Sequence, residues 1–149
     1  MQDVSIFIDS NVFLYARDLE NKQKSEQSNQ WLRRLIAMGA ACTNLQVLNE
    51  VTHAMLRKRR DLQPETIFAE IDGLSFLGSS SVNGATMQTA RALHLKYHYS
   101  WWDCLLLASA LNLGCTHFLS EDLQDQQKIE GLTIVSPFAH TPDQILVSR

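Results

Sequence analysis

The chain has 149 residues, 45% of them hydrophobic and 19% charged, and a net charge of −3 at pH 7. That is the size and balance of one globular domain able to bury its own core, which excludes a disordered chain, and no apolar run is long enough to cross a bilayer. The acidic balance excludes a broad electrostatic footprint for nucleic acid but leaves room for a local one.

The first residues, MQDVSIFIDSNVF, show neither a basic n-region nor a cleavage site, so no signal peptide is expected and a cytoplasmic location is the default. Neither a repeat nor a Pro/Gly linker divides the sequence, and residues 1–149 are expected to form a single domain. Residues 4–8, VSIFI, read as a strand that ends at Asp9-Ser10-Asn11. Residues 23–38 read as an amphipathic helix closed by Gly39, and residues 40–43, AACT, as a short strand. Residues 44–60 place apolar side chains at 47, 48, 51, 54 and 55, one face of a helix. Pro64 opens another helix that runs to about Gly73. The FLGSSSV stretch that follows reads as a short strand and turn, before a helix from Asn83 to about Tyr97. SWWDCLLLASA, residues 100–110, starts the next helix, which stops near Gly114. Residues 115–120 and 132–136 are strand candidates, the last ended by Pro137. Strands alternating with helices predict an α/β domain with a mainly parallel central sheet.

Four acids stand out, each with a local explanation beside it. Asp103 completes Ser100-x-x-Asp103, a capping box in which the acid would return to a free backbone N–H. The helix it opens has no polar face, however, and an ionised acid at that depth needs a cation or several donors. Asp9 and Asp122 each follow an apolar strand, at the carboxyl rim where open α/β sheets bind ligands. Their local alternatives are turn and N-cap roles, for Asp122 the cap of a short LQDQQ helix. Glu50 sits at the shoulder of its helix's apolar stripe, in a row with Gln46, His53 and Arg57, where a surface ion pair is the alternative. Taken together, three of the four stand at strand ends or helix starts on that rim, and carboxylates clustered there repel unless they share protons or bind a hard cation. Mg²⁺ or Mn²⁺ would suit such oxygen donors, and a site of that kind activates water and stabilises charge on a phosphodiester. No zinc spacing and no Gly-rich phosphate loop is present.

DSNVFLY at 9–15, LQVLNEV at 45–51, SWWDCLLLASAL at 100–111 and FLSEDLQD at 118–125, in this order, resemble the PIN domain family. The closest likeness is to the VapC-type toxins of toxin–antitoxin pairs, whose closing strand LTIVSPF at 132–138 is similar to. The resemblance implies a three-layer α/β/α sandwich and a Mg²⁺- or Mn²⁺-dependent ribonuclease. By motif, Asp9, Glu50, Asp103 and Asp122 would be its four acids. Asp9, Asp103 and Asp122 would hold metal, and Glu50 would assist or orient water. Asn11, Ser120 and Asp125 would support them. Many relatives read DLQDG where this chain has Gln126 in place of the glycine, which leaves the turn after Asp125 open. The resemblance also implies an RNA substrate, a homodimer and a small antitoxin partner whose tail enters the site, with no membrane role.

Two other functions are weighed against this. One keeps the fold and drops catalysis, leaving an RNA- or protein-binding module. The other, a receiver-type phosphoacceptor, needs a pair of acids after the first strand and a lysine after a late one; Ser10-Asn11 and Ser120-Glu121-Asp122 stand there instead. The basic run of residues 57–60 reads as a solvated helix end, with phosphate contact as the lesser option. Trp101 and Trp102 have faces that can stack on RNA bases, but at the start of a buried helix they read first as packing residues, and at least one is expected in the core. His94 and His98 read as surface or packing residues. Cys42, Cys104 and Cys115, odd in number and widely spaced, read as reduced core residues.

Overall fold

The computed structural model describes residues 3–146. Strands β1 (Ile6–Ile8), β2 (Ala41–Cys42), β3 (His117–Leu119), β4 (Lys128–Ile129) and β5 (Leu132–Val135) form one sheet in the order β2-β1-β3-β5-β4. All neighbours are parallel except β4, which runs antiparallel to β5. Ile6, Phe7 and Ile8 are all buried, as expected of a strand covered on both faces. In register beside them stand His117, Phe118 and Leu119, with the Phe7 and Phe118 rings stacked at 5.4 Å.

The described helices are α1 (Ser10–Ala16), α2 (Lys22–Met38), α3 (Leu45–Lys58), α4 (Pro64–Asp72), α5 (Gly84–Tyr97), α6 (Trp101–Asn112) and α7 (Pro142–Ile145). They pack in two groups, α1 to α4 with α7 and α5 with α6, α2 resting on β2 and α6 on β3. The sheet is thus the middle layer of the expected α/β/α sandwich. In α6 every side chain from Cys104 to Ala110 is buried, which accounts for the missing polar face. No described helix is long and apolar enough to cross a membrane.

Differences from the sequence reading are local. The FLGSSSV stretch holds no strand: Ser75–Leu77 is a single 3-10 turn. Leu77 and Ser80 then lend backbone carbonyls to Thr43 and Leu45, so the segment pairs with a loop rather than with the sheet. No helix follows Asp122, which removes the N-cap explanation for that acid. Helices α1 and α7 and strand β4 were not predicted, although Asp9 caps α1 and a Thr141–Gln144 capping box opens α7. Strand β4 is held to β5 by Glu130 (φ +53°) and Gly131 (φ +95°), the two positive-φ residues of a tight hairpin.

Gln126 takes φ +69°, so the turn after Asp125 is made as a glycine would make it, by a residue with a Cβ. Its N–H donates to Ile134 O at 2.8 Å, which fixes the turn against β5. Gln126→Gly should therefore raise stability by about 0.5 kcal/mol, the left-handed strain relieved exceeding the chain entropy lost. A chemical denaturation midpoint that fell instead would refute this account of the turn.

Candidate active site

Strand β1 lies between β2 and β3, so the chain leaves it in one direction and later returns on its other side. The crevice beyond the carboxyl ends of β1 and β3 is thus a switch point in strand order. Asp9 follows β1 there, and Ser120 follows β3. Both are pinned by ladder bonds: Asp9 N–H donates to Leu119 O at 3.0 Å, and Ser120 N–H to Val135 O at 3.0 Å.

Four side chains close one network across this crevice. The Ser120 hydroxyl donates to Asp9 Oδ2 at 2.8 Å and accepts the Asp122 N–H at 3.1 Å. The Asn11 amide nitrogen is shared among Asp9 Oδ2 (3.3 Å), Ser120 Oγ (3.0 Å) and Asp122 Oδ2 (3.2 Å). Its oxygen accepts the Glu121 N–H at 3.2 Å, which sets the amide's orientation. The Ser10 N–H completes the support of Asp9, donating to Oδ1 at 2.7 Å.

Asp9 is only 3% exposed. Burial is the main force on its carboxyl and, with smaller contributions from the charges of Glu50 and Asp122, pushes its pKa up to about 6. Bonds from Ser120 and Ser10 pull the other way without cancelling it. No cationic side chain is among the groups acting on Asp9. Lys24, which reaches the residues after β3 from α2, is engaged with Glu121 and lies over the Tyr15 and Phe138 rings.

Glu50 projects from α3, half-buried, and accepts from Gln46 Nε2 at 3.3 Å. Its partner thus stands one turn before it, not one or two turns after. Asp103 lies in the first turn of α6. Only half of the predicted capping box forms: Ser100 Oγ accepts the Asp103 N–H at 3.2 Å, while the Asp103 carboxylate does not return the bond. No described hydrogen bond ties Asp103 to Asp9 or Asp122, and it is not among the charges acting on Asp9. The structure therefore joins Asp9, Asn11, Ser120 and Asp122, sets Glu50 within electrostatic reach, and leaves Asp103 outside the bonded cluster.

Asp125 serves elsewhere, accepting from Ser136 N at 2.8 Å and facing His140 Nε2 at 2.7 Å. Two grooves flank the acids. One, of about 730 Å³, runs from Asn11 and Asp122 past Tyr15 to Lys58 and Arg59. The basic run thus reaches this groove, although Arg59 is engaged by Asp61 through two bonds of 3.0 and 2.9 Å. The other, of about 650 Å³, holds Gln46, Glu50, His53, Val82, Trp102 and Leu105. Trp101 packs against the core, as expected of at least one of the pair, while Trp102 is 66% exposed. His94 and His98 are exposed, and the three cysteines are free, Cys104 and Cys115 being buried. Gln46 is the site neighbour to which the sequence reading gave no role; its spacing of four from Glu50 was the available signal.

Among the described residues, no group of three or more His, Cys, Asp or Glu side chains is placed to hold a metal ion. The donor chemistry nonetheless fits a hard divalent cation: the available groups are carboxylate, amide and hydroxyl oxygens. The central carboxylate is buried, faces two further acids and is offset by no cation.

The sequence profile of the PIN domain family matches residues 6–132. No curated protein matches the chain significantly. Among solved structures, a toxin–antitoxin complex from Klebsiella pneumoniae superposes with a TM-score of 0.65 at 17% identity, covering 89% of this chain and 98% of that one. VapBC2 from Rickettsia felis, bound to a DNA fragment from its promoter, gives 0.64 at 12% identity over 89% and 98%. The sarcin–ricin loop cleaving toxin VapC20 of Mycobacterium tuberculosis gives 0.58 at 20% identity over 79% and 92%. At these identities the superpositions speak to the fold, and the fold agrees with the profile. The acids at the switch point thus stand on a scaffold whose membership is plain: the chain belongs to the PIN domain family.

Proposed function

We propose that this protein is a metal-dependent endoribonuclease and the toxin of a toxin–antitoxin pair. The observation that carries the reading is Asp9, a buried carboxylate with its pKa raised to about 6, bound through Ser120 and Asn11 to Asp122 and countered by no cation. A divalent cation, Mg²⁺ or Mn²⁺, would supply a water of lowered pKa and stabilise the charge developing on the phosphodiester. Asp9, Asp122 and Asp103 would hold it, Asp103 by turning its uncommitted carboxylate toward the crevice. Glu50 would accept a proton from, or orient, the attacking water. Ser120 and Asn11 act by fixing both carboxylates of the bonded cluster.

Family membership supports the nuclease reading, and the cleaving activity stated for VapC20 supports RNA as the substrate. The toxin–antitoxin complexes among the structural neighbours favour a small protein antitoxin as partner. A homodimer and a cytoplasmic location belong to the same proposal. The competing reading, a PIN-fold binding module without turnover, draws on the position of Asp103 outside the bonded cluster. The deciding experiment is RNA cleavage by purified protein with Mg²⁺ or Mn²⁺. Asp103→Asn should lower it at least about 10-fold, since even outer-shell changes at metal sites cost that much. Metal binding without cleavage of any RNA would leave the binding module.

A further inference from the structure

The groove between α3 and the start of α6 contains two features that the acid cluster does not use. Trp102 is 66% exposed, although an indole ordinarily gains by burial, and it lines the groove together with Val82 and Leu105. In the same groove stands Gln46, whose amide nitrogen is committed to Glu50 while its Oε1 is buried and has no partner among the described residues. A buried acceptor without a donor is costly and calls for an explanation. The groove wall is mostly apolar, with a polar edge from Asn49 and Ser81. Glu50 opens the groove to the acids, and Trp102 immediately precedes Asp103.

From these placements we infer that the groove is a nucleobase subsite of the substrate strand, in which Trp102 stacks on an unpaired base and the Gln46 amide rotates to bring Oε1 out of its buried position, where it accepts from the base's exocyclic amine. An exposed indole over an apolar wall offers a π-face to any base. The lone acceptor adds a preference, since a site built around one hydrogen bond rejects a base that cannot make it. Adenine, cytosine and guanine carry the amine and uracil does not. The link from Gln46 to Glu50 also gives the subsite a physical connection to the acids: a base held by Gln46 fixes the side chain against which Glu50 rests. Continuity with the acid cluster favours a nucleic-acid strand over a protein segment in this groove. The inference rests on the ribonuclease reading and specifies which part of the strand the protein reads.

The test uses the full chain and short single strands of 2′-O-methyl RNA, which bind without being cut, in the presence of Mg²⁺. Trp31 is buried and Trp101 half-buried, so quenching of intrinsic fluorescence on binding should come from Trp102 and vanish in Trp102→Phe, which keeps most of the affinity. Trp102→Ala should weaken binding by about 5- to 100-fold, the usual range for a lost stacking contact. Replacing adenine by purine, which lacks only the amine, should weaken binding by the wild type by about 10-fold, the loss of one neutral hydrogen bond, and leave Gln46→Leu unaffected. On cleavable RNA, Trp102→Ala should raise KM far more than it lowers kcat. Strands that bind and are cut with no dependence on Trp102 or on the amine would overturn the subsite and leave the nuclease standing, as would a groove that serves a protein partner instead. A chain that neither binds nor cuts RNA would overturn both readings.

Discussion

Asp9→Asn is expected to make the metal-free protein more stable at neutral pH while destroying the proposed ribonuclease activity. The carboxyl's pKa rises from an ordinary 3.8 to about 6 on folding, so the folded protein holds this proton more tightly than the unfolded chain does. The stability tied to that proton is fully present below about pH 4 and disappears as pH rises through about 6. Above that range the ionised group costs roughly 3 kcal/mol, a shift of about two pKa units at about 1.4 kcal/mol each. An asparagine is never ionised and avoids this cost, although its amide nitrogen fits the donors of Ser120 and Asn11 less well. A net gain of about 1–3 kcal/mol in chelator at about pH 8 is therefore expected. It should shrink to nothing or reverse near pH 4, as followed by denaturant unfolding. Adding Mg²⁺ or Mn²⁺ should raise the wild-type melting temperature and leave the variant's unmoved, and RNA cleavage should fall more than about 100-fold. A variant no more stable than wild type at pH 8, and equally responsive to metal, would mean that Asp9 is neither strained nor a ligand.

Gly78→Ala should destabilise the fold by about 3 kcal/mol or more, one of the largest losses open to a single methyl group. Gly78 has φ +153°, and a Cβ there would stand 2.1 Å from Thr43 O and 3.0 Å from Thr43 C. The obstacle is backbone, which cannot swing aside as a side chain can. Thr43 is itself fixed on two sides, its N–H donating to Leu77 O at 3.2 Å and its hydroxyl to Ile8 O at 3.2 Å. The next residue, Asn44, caps α3 by accepting the Val47 N–H at 3.0 Å. Displacing Thr43 would thus move the start of the helix that carries Gln46 and Glu50. Denaturant midpoints measure the loss directly, and a change below about 0.5 kcal/mol would show that the loop passes Thr43 less closely than described.

What could be read from the sequence followed the range of the physical signal. Buried strands and helices announce themselves by composition, and VSIFI and CLLLASA were placed to within a few residues. The rim positions of Asp9 and Asp122 followed from strand ends. The pairing of Asn11 with Ser120 and Asp122 depends on β1 and β3 lying side by side, a contact between distant parts of the chain that no local pattern encodes. Capping was read too literally at Ser100: the serine caps, but the acid's return bond competes with its other possible uses. Short elements were lost for a different reason. Strand β4 has two residues and α7 has four, too few for a period to show, although Thr141, Pro142 and Gln144 form the capping box and first turn that start α7. The unpartnered oxygen of Gln46 could not be foreseen at all, because satisfaction of a polar atom is a property of its surroundings.

The pairing of β1, made first, with β3, made late, has a temporal consequence. Asn11 and Asp122 are separated by 111 positions, and Asp9 and Ser120 by the same number. At ordinary translation rates of about 5–20 residues per second, those positions take roughly 6–22 s to synthesise. Throughout that interval the growing polypeptide carries Asp9 without Ser120 and Asp122, which complete the bonded cluster. The proposed ribonuclease site therefore cannot be assembled before Asp122 has been made and has met Asp9 through Ser120 and Asn11.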